Sequence, residues 1–340
     1  MDEAVVLTCG LTTLDVVQTV EQVPGPDEKV VALDVAVAAG GPAAVAAVVS
    51  AALGVPARLV TRVGSGILAQ AVLGDLHAHG VQVVRADTDV QIALPVSTVL
   101  LTRSTGQRAV VSVNATAADR ARDGRGEGAD PDTAPVDDAA VEAAGATLPR
   151  GLWNDVVVLL VDGHHLDLAL ALGRAARERG VPVVLDGGSW KPGLEMLLPL
   201  VDVAVLSADF SVPDSVAAAA APGTAPGDAI TTTRRLGPRI VAQSHGGEPI
   251  VIAGDVGRFM VPVPQVEVVD TLGAGDTLHG ALVAWWAAQV RSGSMPSLGD
   301  GVIWADGLAW AGRVASTSCT APGRAWLADV DPWRADIAGR

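Results

Sequence analysis

Short runs of aliphatic residues alternate with helix-length segments over most of this chain of 340 residues. The aliphatic runs contain few polar residues, which is typical of strands that are buried on both faces of a sheet. Parallel strands of that kind need long connections, usually helices, so the pattern predicts an α/β fold with a doubly wound, mainly parallel sheet. The predicted strands are Ala4–Leu7, Ala57–Val60, Asp155–Val161, Val181–Leu185 and Val201–Leu206, and the predicted helices are Ala43–Leu53, Leu68–His79 and Leu166–Arg179.

Two stretches interrupt this rhythm. Asp15–Ala39 and Gln91–Asn114 alternate polar and apolar residues without a helical period, which is typical of exposed antiparallel strands. We interpret them as a small β-sheet lid inserted into a larger domain. The predicted lid comprises residues 11–39 and 91–114, and the predicted core comprises residues 1–10, 40–90 and 115–340. A third stretch, Pro213–Gly227, is almost entirely Ala, Pro and Gly and predicts a poorly ordered connector.

Composition argues against several classes of function. The net charge is −15 and no basic cluster stands out, so we expect no nucleic-acid partner. A long uncharged run between Asp34 and Arg58 is interrupted by Gly40-Gly41-Pro42, so we expect no membrane partner. Two cysteines are too few for a disulfide framework, and the start Met-Asp-Glu lacks the basic residues of a signal peptide. We therefore expect a cytoplasmic protein.

The run Val269–Ala281 points most directly to a chemistry. Gly273 and Gly275 permit a tight turn with exposed backbone N–H groups, and a helix-like run follows. A helix N-terminus offers unpaired N–H donors and partial positive charge, so the run predicts a phosphate cradle. Asp276 at its mouth suits a base that takes a proton from a hydroxyl as the hydroxyl attacks the phosphate. The structural alternative is a glycine turn whose Asp caps the next helix.

Three short polar or glycine-rich motifs lie near the ends of other predicted strands and helices. Asp15 follows the first strand, where a carboxylate can accept two hydroxyl hydrogen bonds from a polyol or simply form a turn. Gly40-Gly41-Pro42 opens the first long helix. His164 and His165 are adjacent, so their side chains diverge on a strand, and no third His or Cys accompanies them. We prefer strand-end polar residues to a metal site there.

Together these motifs resemble the signatures of the ribokinase-like, or PfkB, carbohydrate kinases, in the correct order from Gly10 to about Trp326. In its motifs the chain is most similar to ketohexokinase-like and sulfofructose kinase-like members. The resemblance implies that Asp276 is the general base. It implies an anion hole made by Gly273, Ala274 and Gly275, and a substrate site that includes Asp15, Gly40, Gly41 and Asn114.

The same resemblance implies ATP and Mg²⁺ as cofactors, with a monovalent cation as a further candidate, and a homodimer formed through the lid. It leaves the metal ligands unknown, because Ser207 and Phe210 occupy the places of the usual Asn-x-x-Glu motif. Val45 likewise occupies the place of an Asn that commonly binds sugar hydroxyls. The residues implied at the nucleotide are Ser244, Gly246, Gly247, Thr271 and Gly323.

The leading hypothesis is therefore ATP-dependent phosphorylation of a hydroxyl of a sugar or sugar derivative. A ketose-like acceptor is favoured, because Gly40-Gly41-Pro42-Ala43-Ala44 and the Cys319-Thr-Ala-Pro-Gly323 segment resemble that branch of the family. Two alternatives stay open. One is a nucleoside kinase on the same fold, and the other is a non-catalytic sugar-sensing protein that has retained the fold.

Overall fold

The structure is a computed structural model that describes residues 3–86, 93–113, 136–220, 227–255, 257–294, 297 and 300–340. Within these residues the strands form two sheets, one of nine strands and one of four. The strands, in chain order, are β1 (Val5–Cys9), β2 (Thr13–Val20), β3 (Asp34–Gly40), β4 (Ala57–Thr61), β5 (Val81–Arg85), β6 (Val96–Thr102), β7 (Arg108–Ser112), β8 (Val156–Val161), β9 (Val183–Gly187), β10 (Val203–Leu206), β11 (Ile240–His245), β12 (Glu248–Gly254) and β13 (Gly257–Val261).

The helices pack on the larger sheet or join its strands. In chain order they are α1 (Pro42–Ala52), α2 (Ile67–Ala78), α3 (Asp138–Ala146), α4 (Leu166–Arg179), α5 (Leu194–Leu197), α6 (Asp214–Ala220), α7 (Ala229–Arg235), α8 (Ala274–Arg291), α9 (Gly301–Ser318) and α10 (Asp331–Ala338). Short 3₁₀ segments lie at Leu198–Leu200 and Ala325–Asp329. None of the helices in the described part of the chain has the length and apolar character that a membrane span needs.

The larger sheet confirms the predicted doubly wound architecture. Its strand order is β13-β12-β11-β10-β9-β8-β1-β4-β5, and the seven strands from β11 to β5 pair in parallel. β12 and β13 add an antiparallel edge. β1, β8, β9 and β10 are buried along their whole length, because helices cover both faces of the sheet.

The four-stranded lid sheet has the order β3-β2-β6-β7. Its outer pairs are antiparallel, but β2 and β6 pair in parallel, so the expectation of purely antiparallel strands was wrong at this pair. The reason lies in the larger sheet. β2 follows β1 and β6 follows β5, and both of those strands end at the carboxyl edge of the parallel sheet, so the chain enters the lid twice in the same direction.

The stretch Pro213–Gly227 also differs from its prediction, because residues 214–220 form α6. Four of its seven residues are Ala, the strongest helix former, which outweighs the neighbouring prolines and glycines. Residues 221–226 lie outside the described part of the chain.

Close packing against α1 and the sheet fixes the position of α8. A Cβ atom on Gly280 would lie 2.6 Å from the carbonyl oxygen of Ala46, so only glycine permits this approach of the two helices. The Ser50 hydroxyl lies 2.9 Å from the Ala46 oxygen and 3.0 Å from the Gly280 oxygen. On the other side, the Trp286 ring N–H donates to the Val157 carbonyl at 3.2 Å. The N-terminus of α8 is therefore held firmly above the sheet.

Candidate active site

The N-terminus of α8 presents backbone N–H groups. Gly273 precedes the helix with a φ of +73°, a left-handed conformation that favours glycine. The N–H of Ala274 donates to the Thr271 carbonyl at 3.2 Å, and that of Thr277 donates to the Gly273 carbonyl at 2.8 Å. Within the described residues, the N–H groups of Gly273, Gly275 and Asp276 have no hydrogen-bond partner. Such a group of donors favours an anion.

A cavity of about 360 Å³ lies between this helix N-terminus and the lid sheet. It is lined by predicted site residues from distant parts of the chain, and β2 and β3 supply its lid side. The predicted site residues that the structure brings to this cavity are Asp15, Gly273, Asp276 and Gly323.

Gly40 stands directly behind the Asp15 carboxylate, and Gly41 packs against the backbone after β1. A Cβ atom on Gly40 would lie 2.0 Å from the Asp15 Oδ2 atom, and one on Gly41 would lie 2.4 Å from the Leu11 carbonyl oxygen. Both positions therefore need glycine for close approach. The Thr13 hydroxyl donates to Asp15 Oδ1 at 2.6 Å, while burial raises the pKa of Asp15 above its usual range. Gly40 thus leaves room for the Asp15 carboxylate, which lines the cavity.

Asp276 lies in the first turn of α8 and shares the cavity with Asp15. Burial, chiefly, and then the nearby Asp186 carboxylate raise the pKa of Asp276 from 3.8 to about 7. Asp15 and Asp162 add to this effect, whereas His279 opposes it. A carboxylate with this pKa changes protonation state near neutral pH, as a general base requires.

Asp162 organises the backbone around this site. Its Oδ2 atom accepts hydrogen bonds from the N–H groups of Leu11 at 2.8 Å and Ala43 at 3.2 Å. Its Oδ1 atom accepts from the N–H of His164 at 2.9 Å. It thereby ties the end of β8 to the turn after β1 and to the start of α1. Among the described residues, no group of three or more His, Cys, Asp or Glu is arranged to hold a metal ion.

The segment after α9 closes one side of the cavity. The Asp270 carboxylate accepts from the N–H of Leu272 and from the N–H of Gly323, both at 2.9 Å, so it joins this segment to the α8 turn. Arg324 donates through Nη1 to Asp75 Oδ2 at 3.1 Å and through Nη2 to the Ala39 carbonyl. The Ala39 N–H in turn donates to Asp75 Oδ2 at 2.8 Å.

Arg324 therefore connects the segment after α9, α2 and the end of β3. Sequence patterns alone do not single it out, because its partners lie 249 and 285 residues away along the chain.

The other predicted nucleotide residues lie elsewhere. Ser244 lies near the end of β11, and Gly246 and Gly247 form the turn between β11 and β12; none of the three is among the described residues that line the cavity. The Ser244 hydroxyl donates to the Leu206 carbonyl at 3.3 Å. Thr271 sits at the α8 turn, where its hydroxyl accepts from Arg108 Nη1 at 3.4 Å. The predicted substrate residue Asn114 lies outside the described residues.

Ser207 and Phe210, which replace the usual Asn and Glu, are both engaged within the fold. The Ser207 hydroxyl donates to the Gly188 carbonyl at 2.6 Å. Phe210 is 2% exposed, and its ring centroid lies 6.0 Å from that of Trp190. Packing therefore accounts for the Phe210 substitution.

Comparison with known proteins identifies the family. The sequence profile of the pfkB family carbohydrate kinases matches residues 4–325, which is nearly the whole chain. The chain belongs to the pfkB family of carbohydrate kinases. Members of this family phosphorylate sugars, and the recognition of the family from the motifs is confirmed.

Solved structures of pfkB-type kinases share the fold over almost their full length. A protein of Agrobacterium tumefaciens assigned to the ribokinases is 21% identical, with a TM-score of 0.70 and coverage of 99% of each chain. Arabidopsis thaliana ribokinase, complexed with ribose and ATP, is 19% identical, with a TM-score of 0.62 and coverage of 100% of this chain and 98% of that one. A protein of E. coli assigned as a ribokinase II, in complex with ATP and Mg²⁺, is 17% identical, with a TM-score of 0.64 and coverage of 98% and 99%.

Proposed function

We propose that this pfkB-family kinase transfers the γ-phosphoryl group of ATP to a hydroxyl of a sugar, and that the sugar is a ketose or a ketose derivative. One observation carries the proposal. The cavity joins a partly buried carboxylate, Asp276, to the unpaired N–H groups of a helix N-terminus and to a second carboxylate, Asp15. A base, an anion site and a polyol site in one cavity are the parts that phosphoryl transfer to a sugar needs.

In this mechanism Asp276 accepts the proton of the acceptor hydroxyl. The hydroxyl oxygen then forms its bond to the γ-phosphorus, and the bond from that phosphorus to the ADP oxygen breaks. The N–H groups of Gly273 and Gly275 are free to stabilise charge on the transferring group. Ala274 completes the proposed anion hole only if its N–H leaves the Thr271 carbonyl.

Asp15 accepts hydroxyl hydrogen bonds from the sugar in this proposal, and Gly40 and Gly41 let the sugar approach the backbone. Asn114 is assigned to the substrate through the family motif alone. The ketose preference rests on the Gly40–Ala44 and Cys319–Gly323 motifs. A substrate analogue that lacks the hydroxyl bound by Asp15 should lose affinity, because this partly buried carboxylate then loses that hydrogen-bond donor and retains only the Thr13 hydroxyl.

We assign the nucleotide to Ser244, Gly246, Gly247, Thr271 and Gly323. The N–H of Gly323 already donates to Asp270, so this glycine would contribute close approach rather than a donor. The free donors at the α8 turn fit a nucleotide phosphate. Mg²⁺, when bound, neutralises phosphate charge and keeps several waters, consistent with the lack of a three-residue acidic or His cluster in the described residues. A monovalent cation is a further candidate activator.

The decisive experiment measures ADP release by the purified protein with ATP and a panel of ketoses, aldoses, phosphorylated and sulfonated sugars, and nucleosides. We expect turnover with a ketose or its derivative. Asp276→Asn should lower kcat by about two to four orders of magnitude while sugar binding persists, since a general base contributes on that scale. Asp306→Asn, an exposed change in α9, is the matched control and should leave kcat unchanged.

Two outcomes would favour the alternatives. Turnover with nucleosides alone identifies a nucleoside kinase. Sugar binding without nucleotide binding, measured by calorimetry, identifies a sugar-sensing protein. Normal turnover by Asp276→Asn would contradict the assigned base.

We further propose that residues 11–39 and 91–114 act as the lid and that two copies of the chain pair through it. Asp34, Ala36 and Ala38 of β3 line the cavity, whereas the alternating Val35 and Val37 are 59% and 58% exposed. An exposed apolar sheet face favours pairing with a second sheet. Light scattering should give a dimer mass for the wild type and a monomer mass for Val35→Lys/Val37→Lys. A monomeric wild type would contradict this assembly.

A further inference from the structure

His279 lies one helical turn after Asp276 on α8 and is 5% exposed. Its Nδ1 atom lies 2.7 Å from the Gly275 carbonyl oxygen and 3.2 Å from Asp186 Oδ2. Its Nε2 atom lies 3.1 Å from the Val205 carbonyl oxygen. Both ring nitrogens therefore face oxygen atoms.

The protonation state of the ring follows from these partners. A neutral imidazole has one N–H, so in that state one ring nitrogen would direct a lone pair at a carbonyl oxygen. A doubly protonated ring donates at Nδ1 to Gly275 and at Nε2 to Val205. In this doubly protonated form the Nδ1 proton would be directed to the nearer Gly275 oxygen, so the contact with Asp186 would be an ion pair rather than a hydrogen bond. Asp186 Oδ2 has no hydrogen-bond donor among the described residues, so the imidazolium supplies the compensating charge.

The Gly275 carbonyl belongs to the peptide unit whose N–H is that of Asp276. A hydrogen bond to this carbonyl therefore fixes the plane of the peptide that joins the anion hole to the base. The same ring places a positive charge beside the buried carboxylate of Asp186.

We infer that His279 is a positioning residue that, as an imidazolium paired with Asp186, orients the Gly275–Asp276 peptide and keeps Asp276 ionised for catalysis. This inference rests on the proposed function, in which Asp276 is the base. No element of the pfkB signature used above assigns a role to His279.

The charges around Asp276 support this assignment. The groups that face it are Asp15 from β2, Asp162 from the end of β8, Asp186 from β9, and His279 from its own helix. His279 is the one cationic group in this set. Farther out, Lys191 faces Asp186 and Arg324 faces Asp15. Burial of Asp276, followed by Asp186, raises the pKa of the base, and His279 lowers it.

The test compares pH profiles of kcat/KM. His279→Gln removes the positive charge, so the pKa of Asp276 should rise and the acid limb should move to higher pH by about one unit or more. Asp186→Asn removes a negative charge, so the acid limb should move to lower pH. His77→Gln, at an exposed position of α2, is the matched control and should leave the profile unchanged.

A purely structural role for His279 predicts a different result, in which both variants lose activity at every pH without moving the limb. That result, or an unmoved limb in active His279→Gln, overturns the inference. If His279→Gln does not fold, ¹⁵N NMR of the wild-type histidine rings decides the question, because His279 should show two protonated nitrogens at pH 7. A neutral ring overturns the inference. NMR also works without turnover, so failure of the proposed function remains distinguishable from failure of this role.

Discussion

Replacing Asp276 with Asn should make the protein more stable above neutral pH. The native carboxyl has a pKa of about 7, whereas its ordinary value is 3.8. In the unfolded chain the group ionises in water, but in the native state desolvation and the Asp186 carboxylate both oppose its negative charge. Its protonated form therefore contributes stability that is fully present below pH 3.8 and is lost as the pH rises through about 7. Asn does not titrate, so the variant escapes this loss.

The magnitude follows from the shift. Each pKa unit corresponds to about 1.4 kcal/mol, so a shift from 3.8 to about 7 corresponds to roughly 4 kcal/mol of native-state destabilisation at high pH. Part of this unfolding free energy is already lost at pH 5, because the unfolded chain begins to release the proton near pH 3.8. Between pH 5 and pH 8 the wild type should therefore lose about 3 kcal/mol of unfolding free energy relative to Asp276→Asn.

Urea denaturation at several pH values measures this difference directly. Any fixed cost of burying the Asn amide moves the whole curve and does not change its slope with pH. Asp306→Asn, at an exposed site in α9, is the control and should run parallel to the wild type. Parallel curves for the wild type and Asp276→Asn would refute the reasoning, because the native pKa of Asp276 could not then be near 7.

Three further predictions concern other contacts, and the first has a matched control substitution. Gly280→Ala should lower the unfolding free energy by about 1–3 kcal/mol, because the new methyl group would clash with α1. Gly74→Ala, the control, has open space around it and should raise the unfolding free energy by up to about 1 kcal/mol. Equal effects of the two substitutions in urea denaturation would contradict the close packing of Gly280 against α1. Arg62→Met should lower the unfolding free energy by about 3–5 kcal/mol, because it removes the guanidinium that pairs with the buried Asp167 carboxylate, and an unchanged melting curve would disprove the importance of that ion pair. Gly40→Ala should raise the KM for the sugar on the order of a hundredfold, because its Cβ displaces the Asp15 carboxylate, and an unchanged KM would argue against that carboxylate as a ligand.

The parallel core and the α8 turn are predictable from the sequence because their signals are local. Buried strands such as β8 are continuous aliphatic runs, and Gly273 precedes a helix that begins at the next residue. The parallel pairing of β2 with β6 is not local, because it depends on where β1 and β5 end in the larger sheet. Residue spacing alone therefore leaves the direction of the lid strands open.

The charge environment of the candidate site is even less local. His279 follows Asp276 by three residues, and helical spacing places both on the same face of α8. Asp186, by contrast, approaches His279 from strand β9. Asp162 is joined to Leu11 across 151 residues. The fold, and not the sequence spacing, brings such partners together at the strand ends. Residue types therefore predict the type of reaction better than they predict the charges that set the pKa values of the site residues.

The contacts of Arg324 define where the lid can bend. Ala39, at the base of β3, is bound through both its N–H and its carbonyl to Asp75 and Arg324, which belong to the core and to the segment after α9. In the proposed lid motion, the end of β3 at Ala39 would therefore stay with the core, and β3 would bend on the lid side of residue 39. If the lid opens in this way, the cavity would widen at Asp34, whereas Gly40, which stands behind the Asp15 carboxylate, would keep its place in the core. Because Asp15 pairs with Ala38, directly beside this pivot, it would move much less than Asp34 at the far end of β3.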